Sequence, residues 1–245
     1  MSVIKLEKVL VENKTLPSAF LGREVLVDFY LPTNVNRPDQ MNLLLINDGQ
    51  NMEELGLTEM LEECYQGSAL EPILAVGIHA GTERKMEYGT ASQLDYKGRG
   101  AKAADYTRFI FEELIPFIYT EYKIAGFREK AFAGFSLGGL MALDIVWNYP
   151  DQFKTAGVFS GSLWWRTRGL DDGYVEDSDR IMHAQIRKGN FHAGQKFFFE
   201  TGTMDEVMDR NQNGIIDSID DTMSLIEELE KKGYQNGKDI YYLQL

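Results

Sequence analysis

The chain has one cysteine, three histidines and six prolines among 245 residues. A single thiol excludes an intrachain disulfide framework, and the place of Cys64 within Met60-Leu61-Glu62-Glu63-Cys64 reads as a small core residue. Positive charge is scarce too: 25 Lys and Arg stand against 38 Asp and Glu, a net charge of −13. That balance repels a phosphate backbone and the cations never gather into a stripe, so no nucleic-acid partner is expected. Low-complexity tracts and repeats at a solenoid period are missing, which argues against disorder and arrays. The N-terminus, Met1-Ser2-Val3-Ile4-Lys5-Leu6-Glu7, alternates as a strand does and lacks the apolar stretch of a signal peptide. A cytoplasmic protein without a membrane partner is the expectation.

Apolar residues make up 44% and charged residues 26% of the chain, the balance of a globular protein that buries one large core, so residues 1–245 are expected to form a single domain. Segments rich in β-branched and aromatic residues recur at 25–31, 43–47, 73–78, 130–135, 155–159, 196–200 and 239–245. Most are nearly continuous in apolar residues, as strands buried on both faces are, and helical stretches separate them. The order predicts an α/β fold with a mainly parallel central sheet, helices on both faces, and the first two segments as an antiparallel edge. Tyr106, Phe109, Ile110, Leu114, Phe117 and Ile118 predict a helix over about 104–122, broken near Glu112 because Pro116 removes a hydrogen bond there. Ile219, Met223, Ile226 and Leu229 predict another, closed by Lys231-Lys232-Gly233.

Between strand 130–135 and a helix over about 137–147, Gly134-Phe135-Ser136-Leu137-Gly138-Gly139 matches G-x-S-x-G. In a nucleophile elbow the serine occupies a strained turn, and the flanking positions must be glycine because a larger side chain would collide with it. The helix N-terminus then offers backbone N–H groups, that of Leu137 among them, to a developing oxyanion. A serine serving only as N-cap is the plain alternative, and the strand before with the helix after weighs against it.

Further stretches follow in a fixed order: Ile46-Asn47-Asp48-Gly49-Gln50-Asn51, Arg84 with Glu87-Tyr88-Gly89, Ser160-Gly161-Ser162-Leu163-Trp164-Trp165, and Thr201-Gly202-Thr203-Met204-Asp205-Glu206. With these the chain resembles, over essentially its whole length, the esterase family that includes esterase D and the enterochelin-esterase-like hydrolases. The resemblance implies an α/β-hydrolase fold and a serine carboxylic ester hydrolase that acts through an acyl-enzyme on Ser136. It also implies a second oxyanion donor at the backbone of Gln50 or Asn51, although Asp48-Gly49 reads equally as a tight turn. The triad acid belongs after a late strand, where Asp205 matches and Glu206 is the reserve. A histidine should come next, yet His79, His183 and His192 all precede Asp205. Similar hydrolases carry it just past a final strand, where this sequence stops, so a lost C-terminal tail is expected, and without a base the chain as written is expected to be nearly inactive.

From Asp209 to Asp220 the sequence follows an EF-hand-like calcium loop. Asp209, Asn211, Asn213, Asp217 and Asp220 fall at positions 1, 3, 5, 9 and 12, Gly214 at the sharp turn, and Ile215 at the position that offers its carbonyl. A structural Ca²⁺ is the expected cofactor, with Asp217 acting through a water; an Asx-rich turn without metal is the alternative. No organic cofactor is expected. Asparagine at two positions and Asp220 in place of glutamate lower the expected affinity, which suits a calcium-rich compartment better than the cytoplasm.

Residues 161–190 leave the strand-helix rhythm and read as a small cap insertion, where Trp164 and Trp165 are candidate substrate contacts, joined by Tyr96 and Arg99 from a long loop. A small-molecule ester is the expected substrate; acyl transfer or thioester hydrolysis would use the same triad. A calcium-dependent binding protein on a hydrolase scaffold is the reading from another class. Oligomeric state is not legible here.

Overall fold

The computed structural model describes residues 9–33, 35, 38–67 and 70–245. The strand expected over residues 1–7 lies outside them. Helices in chain order are α1 (Leu57–Gln66), α2 (Arg84–Glu87), α3 (Ala103–Arg108), α4 (Ile115–Glu121), α5 (Leu137–Asn148), α6 (Glu176–Asp179), α7 (Ile181–Lys188) and α8 (Asp217–Lys232). The described residues form two compact units, one drawn from 9–82 and 106–131 and the other from 83–105 and 132–245.

In the first unit the strand order is β1-β2-β4-β3. β1 (Val9–Ser18) and β2 (Arg23–Pro32) form an antiparallel hairpin, β2 pairs antiparallel with β4 (Ile73–Ile78), and β4 runs parallel to β3 (Asn42–Asn47). The antiparallel edge is therefore β1 with β2, a correction to the expected pairing of 25–31 with 43–47. β1 escaped detection because the face that carries the buried Leu16 and Ser18 also carries the half-buried Glu12 and Lys14, while Leu10 and Val11 are exposed, so its place in the ladder comes from its partner rather than from its own apolar content. Val25, Val27 and Phe29 of β2 are fully buried while Leu26 is exposed, the period-2 pattern of a half-covered strand.

The break expected from Pro116 takes a definite form: residues 109–114 are π-helical between α3 and α4, and the Ile115 N–H donates to the Ile110 carbonyl. Without an N–H, Pro116 leaves the ladder one bond short, and the backbone absorbs the gap by widening one turn. Phe109, Ile110, Leu114 and Ile118 still lie in the core. Cys64 does not, and the core reading of it is corrected. The buried stripe of α1 runs through Leu57, Leu61 and Tyr65, and Cys64 falls beside it, exposed.

β5 (Lys130–Phe135) carries the chain into the second unit, ordered β5-β6-β7-β8. β6 (Thr155–Phe159), β7 (Lys196–Thr201) and β8 (Ile240–Gln244) are mutually parallel. α5 buries residues 137–147 on every side, so its sequence is apolar all round rather than striped. α8 buries Thr222, Leu225, Ile226 and Leu229, whereas Met223 is exposed, so its inner face sits off the one expected. Gly233, at φ 112°, closes it in the left-handed conformation that favours glycine. Among the described residues no helix is long and apolar enough to cross a membrane.

Candidate active site

Ser136 lies between β5 and α5 with φ 54° and ψ −121°, a conformation that costs a non-glycine residue strain. Its N–H donates to the Phe159 carbonyl at 2.9 Å, which ties the turn to the end of β6. Glycine is required here by contact: a Cβ on Gly134 would stand 2.5 Å from the Gly138 carbonyl carbon, and one on Gly139 would stand 2.8 Å from the Gly134 oxygen. The strand-turn-helix elbow legible in the sequence is thus forced by backbone meeting backbone.

Ser136 borders a cavity of about 240 Å³, whose walls also include Ser160, Gly161, Ser162, Trp164, Asp205, Glu206 and Ser218. The Ser162 hydroxyl is buried and stands 3.0 Å from the Ser136 Oγ. Asp205 sits in the turn after β7, its carboxylate accepting the Gly202 N–H at 2.8 Å. Burial pushes the Glu206 carboxyl above the usual carboxylate range, and the nearby charges of Asp217 and Asp221 push the same way against an opposing bond from the Ser218 N–H. Glu200 is raised as well, by burial and then by the charge of Asp205. Serines and carboxylates dominate the walls, with Trp164 the one aromatic surface. Ser162 and Ser218 were missed in the sequence; Ser162 lies inside the stretch 160–165, but no spacing rule singles it out.

Of the expected substrate contacts, Trp164 borders the cavity and Trp165, Tyr96 and Arg99 do not. Trp165 is fully buried against Gly89 and Gly100. The Arg99 guanidinium lies 4.8 Å from the Trp164 ring centroid and 5.3 Å from that of Trp165, and it pairs with the buried Asp95 carboxylate. Tyr96 donates its N–H to the Arg166 carbonyl at 3.0 Å, joining the long loop to the segment that follows β6.

Asp144, on α5, accepts the Ala91 N–H at 2.9 Å and hydrogen bonds from Gln185 and Asn148, so it links the same loop to α7. Burial raises its pKa to about 6, against the lowering effect of those bonds. A carboxyl raised in the folded state contributes stability that is present below its unfolded pKa, near 4, and is lost as pH rises through about 6. The stability of the wild type relative to Asp144→Asn should therefore fall between pH 4 and pH 7, by up to about 3 kcal/mol at 1.4 kcal/mol per unit. Urea denaturation of both proteins across that range checks it; parallel curves would remove Asp144 as the titrating group.

In the first unit, Gln50 occupies the 3-10 turn Gly49–Asn51 that follows β3. Its side chain donates to Asp48 at 3.3 Å and accepts the Ala80 N–H at 3.0 Å. Asp48 is left-handed at φ 61°, and a Cβ on Gly49 would stand 2.4 Å from the Gly77 carbonyl carbon, so the turn packs directly on the end of β4.

The loop 209–220 is closed by hydrogen bonds of its own. Asp209 accepts the N–H groups of Asn213 and Gly214 at 3.1 and 2.9 Å, Asn213 Oδ1 accepts that of Ile215 at 2.8 Å, and Gly214 turns at φ 86°. Asn211 and Asn213 direct their amide nitrogens to Asp220. Asp217 accepts the Arg210 N–H at 2.9 Å, while the Arg210 side chain, almost wholly buried, pairs with Asp221 and Glu176. Among the described residues no three His, Cys, Asp or Glu side chains are gathered as a ready metal cluster.

Residues 18–244 match the family described as Putative esterase. The chain belongs to that family. The uncharacterized protein YjcH of Bacillus subtilis (strain 168) is 24% identical over 228 residues, 91% of this chain and 85% of that protein. Ferri-bacillibactin esterase BesA of the same organism is 41% identical over 63 residues, 26% of this chain and 22% of that protein. Among solved structures, the enterochelin esterase from Shigella flexneri superposes with a TM-score of 0.72 at 20% identity, over 96% of this chain and 52% of that one. The chain thus spans about half the length of that esterase. The BES protein from Bacillus cereus superposes at 0.65 with 18% identity, over 100% and 88% of the two chains. Likeness at these identities carries the fold alone, and that fold is the expected α/β-hydrolase fold with its mostly parallel sheet.

For a member of this family the three histidines stand in unhelpful places. His79 Nε2 is 2.6 Å from Asp28 in the first unit. His183 is buried, bonded through Nε2 to the Asp221 carbonyl and the Ser224 hydroxyl, and burial with the adjacent Arg180 charge holds it neutral, well below the usual histidine pKa. The ring of His192 meets Trp147 edge-on. None borders the cavity.

Proposed function

We propose that the chain hydrolyses carboxylic esters of small molecules through an acyl-enzyme on Ser136, with Asp205 as the acid that orients a histidine base. The observation that supports this reading most is the strained Ser136 turn opening on a cavity that Asp205 also borders. In the proposed course, the base takes the hydroxyl proton as Ser136 Oγ adds to the ester carbonyl, and the Leu137 N–H receives the developing oxyanion. The alkoxy group leaves with the proton held by the base, and water repeats the sequence to release the acid. A polar, 240 Å³ cavity favours a compact substrate over a long acyl chain, with Trp164 as the surface against which it lies. Thioester hydrolysis or acyl transfer would run on the same intermediate and differ only in the acceptor. The test is turnover of short activated esters by the full-length protein; inertness to both ester and thioester panels would favour a binding role on the same scaffold.

The same proposal includes one structural Ca²⁺ held by Asp209, Asn211, Asn213, Asp220 and the Ile215 carbonyl, with Asp217 through a water. An all-oxygen donor set suits Ca²⁺, and the Gly214 turn supplies the bend such a loop needs. Both amide nitrogens face Asp220, so the Asn211 and Asn213 side chains would rotate to present oxygen to the ion, and each would release the backbone N–H its oxygen now accepts. Because the loop begins four positions after Asp205, its occupant would order the segment carrying the acid. The expected result is a melting temperature about 5 °C or more higher in excess Ca²⁺ than in EDTA, with no such shift in Asp209→Ala. Equal melting in Ca²⁺ and EDTA would leave 209–220 as a polar turn.

A further inference from the structure

Ser162 has no part in the triad, yet of the side chains described it makes a direct hydrogen bond to the nucleophile, its Oγ 3.0 Å from that of Ser136. Its position is fixed on several sides. The Ser162 N–H donates to the Ser136 carbonyl at 3.0 Å, and the Ser162 carbonyl accepts the Trp165 N–H at 3.2 Å. Ser160 is held at φ 44° with its N–H on the Glu200 carbonyl, and a Cβ on Gly161 would stand 2.5 Å from Val158 Cγ1, so the turn 160–162 has little room to shift. The residue as a whole is 3% exposed.

Chemistry assigns the direction of the bond. In an acyl-transfer site Ser136 gives its proton to the base, which leaves its oxygen as acceptor and Ser162 as donor. Resting on the acyl-enzyme reading, we infer that Ser162 is a catalytic residue of the second half-reaction, donating a hydrogen bond to Ser136 Oγ as the acyl group departs. In the acyl-enzyme, Ser136 Oγ is an ester oxygen and a weak acceptor. Water, losing one proton to the base, adds to the acyl carbon, and the carbonyl pair moves onto oxygen. When that pair returns, the bond from carbon to Ser136 Oγ breaks and its electrons stay on Oγ, which takes the proton from the base. Ser162 keeps its own proton throughout. Its bond strengthens as charge gathers on the leaving oxygen, so it lowers this barrier more than that of acylation, which starts from a hydroxyl that is already a good acceptor.

Stopped-flow turnover of p-nitrophenyl acetate by the full-length protein separates the two steps. Ser162→Ala should slow deacylation about tenfold and leave acylation within about threefold, so that kcat and KM fall together while kcat/KM holds. Ser162→Cys, close to serine in size and a weak donor, should fall between the two proteins and carries the test if the alanine variant does not fold. An equal fall in both steps would make Ser162 merely structural, and an unchanged deacylation rate would overturn the inference. Mass spectrometry of the quenched reaction keeps the two readings apart: an acetyl group on Ser136 supports the acyl-enzyme, and its complete absence removes that reading together with this one.

Discussion

Ser136→Ala lowers kcat/KM for p-nitrophenyl acetate by about 10³-fold or more in the full-length protein while its melting temperature stays within a few degrees of wild type. Both halves of this expected result follow from the local geometry. Alanine at φ 54° carries the same Cβ as serine, so the strain of the turn neither rises nor falls, and the N–H on Phe159 is kept. What disappears is the oxygen that, in the proposed mechanism, bonds covalently to the substrate, together with its hydrogen bond to Ser162. The Ser162 hydroxyl, 3.0 Å from the lost oxygen, is held in place by its own backbone bonds and does not take over its position. Residual turnover would come from oxyanion stabilisation and binding alone. A variant that retains more than about a tenth of wild-type activity would end the role of Ser136 as nucleophile.

Asp205→Asn should cost about 10⁴ in kcat, the scale for turning a triad acid into its amide. The asparagine oxygen can still accept the Gly202 N–H, so the turn after β7 survives. The change removes the negative charge that, in the proposed mechanism, fixes the histidine tautomer and stabilises its cation. Glu206→Gln is the matched comparison, because Glu206 borders the same cavity one residue away. Its carboxyl is raised by burial and by the charges of Asp217 and Asp221, which makes it the poorer anion for steadying an imidazolium. Its loss should cost less than about tenfold. A collapse in Glu206→Gln with activity kept in Asp205→Asn would transfer the acid to Glu206, and two mild variants would leave the turn without a triad acid.

Several features needed only the sequence because their causes are local. Pro116 cannot donate a hydrogen bond wherever it sits, and the π-helical turn over 109–114 is its consequence. Gly233 ends α8 for a reason confined to its own φ. The strained turn at Ser136 is legible because strand, glycine spacing and helix follow one another within a dozen residues. Matching residues 18–244 to an esterase family adds to the same kind of information.

Tertiary structure decided what depends on residues distant in sequence. Ser162 reaches Ser136 across 26 positions because β5 and β6 end side by side, and no periodicity within either segment reports that. Trp164 and Trp165 are adjacent and chemically alike; one meets the cavity and the other fills the space over Gly89 and Gly100, a choice made by the loop packed beneath them. β1 is a strand through its ladder with β2, and Cys64 is exposed because its helix turned another face inward. The physical reason is common to all four. A local pattern fixes backbone conformation through sterics and hydrogen bonds a few residues long, whereas the neighbours of a side chain are set by strand register and by which helix face the core accepts.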